Sequence, residues 1–372
     1  LIDAAKEAGC EDFCIDCGWY SDGHWWDGVG EWIPSKQRFP GGIEEVINYI
    51  RSKDMIPGLW LELEVIGTQC PMVKKVSKDW FFQRNGKPVI DHCRYQLDFR
   101  NPEVRAYASS VIQRLVEEYS VGYIKMDYNI NAGVGTDLKA DSAGVGLLEH
   151  TRAYLAWLDD IFERYPELIV ENCSSGGMRM EYSMLSRQSI QSVTDQTDYI
   201  KMAAIAANCA TACAPEQAAI WSYPLTEGTE EEAIYNMVNA ILLRIHQSGY
   251  LGQIEPCRME RVCEGIQLYK EIRGDIKEGF PFWPTGLASF TDEYISFGIQ
   301  NQKKSYLAVW RTKGEDEKNF EIPIGKKGSR IEKPVCIYPK GKEVDAEFDR
   351  EREVLTVSLK PKTARLFSFS RS

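Results

Sequence analysis

Tyr123-Ile124-Lys125-Met126-Asp127-Tyr128-Asn129 reads as a buried strand that turns polar at its end. Side chains alternate along a strand, so Lys125, Asp127 and Asn129 share one face, and Ile124, Met126 and Tyr128 share the other. An ammonium, a carboxylate and an amide on one face of an apolar strand are costly to bury unless they meet each other or a ligand. A structural salt bridge at the strand end would satisfy that demand. So would a catalytic site, because barrel enzymes carry their chemistry at the C-terminal ends of parallel strands.

Two further segments favour the site. Leu168-Ile169-Val170 is an apolar run that leads into Glu171-Asn172-Cys173-Ser174-Ser175-Gly176-Gly177-Met178-Arg179, where paired glycines let backbone N–H groups approach a ligand. Ser189-Ile190-Gln191-Ser192-Val193-Thr194-Asp195-Gln196-Thr197-Asp198 is another short strand ending in carboxylates. Helix-length segments separate the three.

Outward from these, strands are expected near Phe13–Asp16, Gly58–Leu63, Tyr123–Asp127, Leu168–Asn172, Ser189–Thr194, Ala218–Ser222 and Gly249–Gln253. Helices are expected over Ile43–Arg51, Pro102–Glu118, Glu149–Arg164, Glu230–Gln247 and Arg258–Lys277, with an opening amphipathic helix from Leu1 to Gly9. Repeated βα units of this length imply a parallel sheet with crossover helices. The expected fold is an α/β (β/α)8 TIM barrel over residues 1–280, its first strand missing. From about Pro281 short alternating runs, among them Tyr294–Ile299, Ser305–Trp310, Val335–Tyr338 and Val354–Leu359, predict a C-terminal antiparallel β-sandwich over residues 281–372.

Together these residues resemble the family-36 glycoside hydrolases, the clan of retaining α-galactosidases. The family pattern is Lys-Trp-Asp-Met-Asn, then Cys-Ser-Gly-Gly-Gly-Gly-Arg, then Ser-Asp-Asn. Here these stand as Lys125-Met126-Asp127-Tyr128-Asn129, Cys173 to Arg179, and Thr194-Asp195-Gln196. Upstream, Ile15-Asp16-Cys17-Gly18-Trp19-Tyr20 is similar to the family's Asp-Asp-Gly-Trp-Phe, and Gly58-Leu59-Trp60-Leu61-Glu62-Leu63-Glu64 to Gly-Leu-Trp-Phe-Glu-Pro-Glu. Arg94-Tyr95-Gln96 with Leu97-Asp98 resembles a substrate-contacting arginine segment. Members also carry a large N-terminal β-sandwich, so the resemblance implies a fragment of a longer protein.

The resemblance implies a retaining α-glycosidase, an α-galactosidase first, with an α-N-acetylgalactosaminidase or a raffinose-synthase-like transglycosylase as alternatives. Retention needs two carboxyl groups about 5 Å apart. The resemblance makes Asp127 the nucleophile and Asp195 the acid/base; capping of the next helix is the other use for Asp195, and Asp198 competes for it. It places Asp16, Cys17, Trp60, Arg94, Lys125, Asn129, Cys173 and Gly176 around the sugar. Trp60 serves equally as core packing, and Arg94 as partner to a carboxylate. Trp25 and Trp26 either stack on a sugar ring or pack their loop onto the barrel. Departures from the family fall in the sugar-reading shell: Cys17 for the second Asp of the pair that meets the 4- and 6-hydroxyls, Met126 for a tryptophan, Ser175 for a glycine, and Ile130 for an arginine.

A metal-dependent barrel enzyme using Asp16, Glu62, Glu64, Asp127 and Glu171 is the reading from another class, and a non-catalytic sugar-binding remnant is a third. Lys125 amid those carboxylates neutralises charge without a metal, so neither metal nor cofactor is expected. Net charge is −11 without a basic cluster, which argues against nucleic acid and anionic membrane as partners and leaves an oligosaccharide or other α-glycoside. The composition leaves homo-oligomerisation open. The 11 cysteines lie scattered among apolar residues, as reduced thiols of a cytoplasmic protein do. Cys14-Ile15-Asp16-Cys17 has a C-x-x-C spacing, but strand residues three apart point to opposite faces, and only 4 histidines are present to complete a zinc site.

Overall fold

The structure, a computed structural model, describes residues 1–315, 318–325 and 331–370. The expected C-terminal domain, 281–372, therefore falls partly outside the described residues. The chain forms two compact units, residues 11–191 and residues 1–10 with 192–372.

In the 11–191 unit the parallel strands Asp12–Ile15, Ile56–Leu61, Tyr123–Met126, Ile169–Asn172 and Ile190–Ser192 lie side by side in chain order, the last running into the boundary. Helices Ile43–Ser52, Pro102–Gln113 and Ala143–Arg164 alternate with them. Local chemistry sets their starts. Asn101 accepts the Glu103 N–H ahead of Pro102, and Ser142 accepts the Val145 N–H. Arg114–Glu118 continues the Pro102 helix as a π-helical segment. The alternation read at Lys125 appears in the ladder, where Trp60, Lys125 and Glu171 are register neighbours on three adjacent strands. Leu59, Ile124 and Val170 form the next row back, with side chains on the opposite face. That apolar face packs with Val104, Ala108, Trp157 and Leu158 from the helices. Each such burial contributes roughly 1.5–3 kcal/mol. Gly58 leaves room for its neighbour, since a Cβ there would lie 2.9 Å from the Tyr123 ring.

The other unit holds two parallel strands, Ala218–Ser222 and Arg244–Gln247, with helices Tyr199–Cys209, Glu230–Ile241 and Pro256–Glu278. Two sequence expectations fail here. The helix expected through Gln247 stops at Ile241, and the strand expected over Gly249–Gln253 is a turn containing the short 3-10 helix Leu251–Gln253. Pairing of Arg244–Gln247 with Ala219–Ser222 overrides the helical pattern that Leu242 and Leu243 prolong. Gly249, at φ 80°, then turns the chain. The opening helix Ile2–Ala8 ends at left-handed Gly9, whose carbonyl accepts from Lys270 Nζ of the Pro256–Glu278 helix at 2.5 Å.

After that helix the strands become antiparallel. Phe280–Phe282, Tyr294–Gln300, Lys304–Arg311, Thr363–Ser370 and Val335–Tyr338 form one sheet in that order, and Lys318–Pro323, Val354–Leu359 and Asp345–Asp349 form another. Leu307, Val309 and Phe367 from the first sheet share a core with Ile322, Leu355 and Val357 from the second, as expected of a sandwich. Among the described residues no helix is long and apolar enough to cross a membrane.

Candidate active site

Asp127 follows directly on the Tyr123–Met126 strand, and its N–H still bonds to the Leu61 carbonyl at 2.7 Å. Its carboxylate is fixed at both oxygens. Oδ2 accepts from the Trp60 indole N–H at 3.1 Å; Oδ1 accepts from the backbone N–H of Tyr128 at 2.8 Å and of Ser175 at 3.1 Å. Trp60 is itself buried in the core, so it packs the barrel and aims Asp127 at once. The Ser175 N–H reaches Asp127 because the chain reverses there. Ser175 has φ 43° and Gly176 φ 81°, a backbone that favours glycine at both positions and costs a serine some strain.

Lys125 Nζ lies 2.9 Å from Asp16 Oδ2, with the lysine side chain 11% exposed and that of Asp16 58% exposed. Burial opposes the charge on Asp16, but the Lys125 ammonium and the Cys17 N–H hold its pKa below the usual carboxylate range. The same N–H lies 2.7 Å from Asp16 Oδ1. Burial and then the Asp16 carboxylate push the Cys17 thiol up to about 12, so it is neutral at physiological pH. Glu171 is buried beside Lys125 on the ladder; desolvation pushes it up to about 7 against the pull of the Lys125 ammonium and the Tyr123 hydroxyl. Burial likewise raises the Cys173 thiol well above its ordinary value.

A second buried group of charges adjoins Asp127. Glu62 and Arg94 are both fully buried, with Nη2 3.0 Å from Oε2. The contact is an ion pair rather than an aligned hydrogen bond, and both terminal nitrogens of Arg94 lack an aligned acceptor. The guanidinium lies 3.6 Å over the Trp26 ring, and its Nε donates to the Trp26 carbonyl at 3.0 Å. Burial and the Asp127 charge push Glu62 up to about 7, against Arg94 and the Asn129 N–H. Of the two uses read for Arg94, the one visible is partnership with a carboxylate. Trp25 packs edge-on against Trp60, and the Trp26 indole donates to the His92 carbonyl, so both tryptophans tie their loop to the barrel.

Asn129 donates its N–H to Glu62 Oε1 at 2.7 Å and accepts from Ser175 Oγ at 2.6 Å, which links the two strand-end loops. Deeper, Arg179 pairs with Glu64 at 2.7 Å. His150 Nδ1 accepts the Phe99 N–H, so the ring proton sits on Nε2, 3.4 Å from Glu64. Of the five carboxylates a metal-dependent enzyme would use, three are paired with protein cations: Asp16 with Lys125, Glu62 with Arg94 and Glu64 with Arg179.

The 11–191 unit therefore brings together Asp16, Cys17, Trp60, Arg94, Lys125, Asp127, Asn129, Cys173 and Gly176 on neighbouring strand ends and their loops. Asp195 belongs to the other unit, in the extended segment before the Tyr199–Cys209 helix, and is exposed. It does not cap that helix. Asp198 does, accepting the N–H groups of Ile200 and Lys201. Sequence reasoning passed over the Trp60 N–H, the Ser175 N–H and Tyr123. Period-2 alternation puts Tyr123 on the Lys125 face and was the available signal; the other two arise from contacts 67 and 48 residues apart in the chain.

The family model described as Melibiase matches residues 1–219. The chain is 29% identical over 207 residues to α-galactosidase Mel36A of Lactobacillus acidophilus, a match covering 54% of this chain and 28% of that protein. It is 24% identical over 329 residues to the bifunctional α-galactosidase/sucrose kinase AgaSK of Mediterraneibacter gnavus, covering 83% and 33%. Among solved structures, the galactosidase domain of AgaSK superposes with TM-score 0.77 at 21% identity. The GH36 α-galactosidase AgaA of Geobacillus stearothermophilus does so with TM-score 0.81 at 16% identity. Both comparisons cover 100% of this chain and 52% of the other, so the chain spans about half the length of these solved relatives. AgaA variants have been solved with raffinose and with stachyose. The fold is that of their catalytic region: a curled parallel βα sheet of barrel type with antiparallel sheets in the C-terminal part.

Proposed function

Because the chain belongs to the melibiase family, we propose that it hydrolyses terminal α-galactosides of oligosaccharides with retention of configuration, through a barrel over residues 1–280 and a β-sandwich over 281–372. The observation that carries this reading is the Asp127 carboxylate, immobilised by three N–H donors at the end of a barrel strand. A nucleophile held in one orientation meets the anomeric carbon without reorganisation.

In the first step an Asp127 oxygen bonds to C1 while the C1–O glycosidic bond breaks, and an acid gives its proton to the leaving oxygen, the role that the family resemblance gives to Asp195. In the second, water attacks C1, its proton passes to Asp195, and Asp127 leaves. Asp16 and Lys125 supply charge-assisted hydrogen bonds to sugar hydroxyls, with Asn129, Cys173 and Gly176 lining the same sugar, while buried Arg94 holds Glu62 behind them. Cys17 offers a neutral thiol where a carboxylate would accept from two hydroxyls, so galactose is read more weakly.

Two measurements test the proposal. With an aryl α-galactoside, proton NMR of the first-formed sugar should show the α anomer; a β anomer would rule out double displacement. Asp127→Asn should fold normally and lose several orders of magnitude in turnover. A folded variant with near-normal turnover would remove Asp127 from the role.

A further inference from the structure

We propose that Glu171 is a positioning residue, fixing the Lys125 ammonium from the barrel interior so that Asp16 is free to turn to the ligand. The inference rests on the reading above, in which Lys125 and Asp16 face the sugar. Lys125 and Glu171 are register partners on adjacent parallel strands, and partners in such a ladder project to the same face about 4.8 Å apart. Glu171 is 1% exposed and anchored: its Oε2 accepts from the Tyr123 hydroxyl at 2.6 Å. Tyr123 stands two residues before Lys125, on the same face, with its ring filling the space left by Gly58. The carboxyl is therefore held at a fixed height beside the lysine.

The other partner of Lys125 differs in kind. Asp16 touches the ammonium at 2.9 Å but is 58% exposed, and an exposed carboxylate holds a lysine weakly. When a sugar hydroxyl engages Asp16, a lysine with no other counter-charge would follow it or lose its place. Ionised above about pH 7, Glu171 supplies that counter-charge from a position the ligand does not reach. Packing alone does not call for a carboxyl here, because its ladder partner on the far side is Ile190, and an aliphatic side chain would fill the row without a buried acid. Burial pushes Glu171 up while the Lys125 charge pulls it down, as expected of register partners on adjacent strands.

The test is the mobility of the lysine itself, read from Cε relaxation in protein labelled with ¹³C-lysine, the Lys125 signal being identified by its loss in Lys125→Arg. On the order-parameter scale, rigid groups read about 0.85 and flexible ones below about 0.6. Lys125 should stay rigid in the wild type and in Asp16→Asn, and become flexible in Glu171→Gln. That substitution keeps the shape and an acceptor for Tyr123. Tyr123→Phe leaves both charges in place and only unties Glu171, and it should loosen Lys125 too. A lysine that stays rigid in both Glu171→Gln and Tyr123→Phe, or that is released by Asp16→Asn instead, overturns the proposal. These readouts need no turnover, so a wild type inactive on every α-glycoside would sink the hydrolase reading and leave this inference standing. In an active enzyme, Glu171→Gln should lower kcat/KM on the order of 10²-fold. Wild-type kcat/KM in that variant would count against it.

Discussion

Two ion pairs on the same barrel face do opposite jobs. Glu62 and Arg94 are both fully buried, with Trp26 stacked over the guanidinium. Lys125 and Asp16 form a pair of similar length, 2.9 against 3.0 Å, yet the Asp16 side chain is 58% exposed. A sealed pair pays desolvation on both ions and is strongly destabilising only when one partner is removed. An open pair contributes little to stability and keeps its charge available to a ligand. The contrast separates the architecture of the site from its reading surface, and variants of each pair can break it.

The largest stability effect is expected at the sealed pair. Arg94→Met takes the cation from a buried carboxylate and should lower unfolding free energy by about 3–5 kcal/mol, measured by urea denaturation above about pH 8, where Glu62 is ionised in the wild type. A loss under about 1 kcal/mol would mean that Glu62 is neutral or reaches water. The pH dependence has a definite sign. Glu62 and Glu171 are both raised to about 7 in the folded chain, so each binds a proton that the unfolded chain has lost. Their contribution is fully present below about pH 4.5 and is lost as pH rises through 7. Removing Glu62 as Glu62→Gln should flatten stability between pH 4.5 and 7 by on the order of 3 kcal/mol. An unchanged slope would place the titration elsewhere.

How much of this was legible follows the range of the contacts. Alternation along one strand puts Lys125 and Asp127 on one face; Trp60, the register partner of Lys125, reaches Asp127 with its indole N–H. The competition between Asp195 and Asp198 for the helix cap was also readable, and Asp198 wins it. The Arg244–Gln247 strand was not readable: Ala240 to Leu243 extend a helical apolar pattern, and only pairing with Ala219–Ser222 ends it. The orientation of Asp127 was equally hidden, because Trp60 and Ser175 reach it from other strands. Trp60 was read as a sugar wall or a core residue; its use as a hydrogen-bond donor depends on the register of the Ile56–Leu61 strand against Tyr123–Met126.

The reading surface can be sharpened at Cys17. Its side chain is partly buried against the core, as Tyr20 and Trp25 are, and the thiol is neutral at physiological pH. Cys17→Asp adds a charged acceptor where the family carries one. If the rest of the galactose frame is intact, kcat/KM for an aryl α-galactoside should rise by an amount worth about 1.5–3 kcal/mol of transition-state binding. A fall in that activity, with another α-glycoside proving the better wild-type substrate, would reassign the sugar and leave the glycosidase chemistry in place.

The smallest stability effect is expected where exposure is greatest. Asp16→Asn keeps the shape of the side chain and removes only its charge, and an exposed pair of this kind is worth about 0–1 kcal/mol. The fall in urea midpoint should therefore be slight, far less than for Arg94→Met. Galactoside turnover should nevertheless drop, because a neutral amide accepts from a sugar hydroxyl more weakly than a carboxylate does. The comparison thus predicts a crossed pattern, with Asp16→Asn harming activity beyond its effect on stability and Arg94→Met unfolding the chain first. Should Asp16→Asn destabilise the chain as much as Arg94→Met, the Asp16–Lys125 pair is structural, and the division between a sealed frame and an open reading surface is wrong.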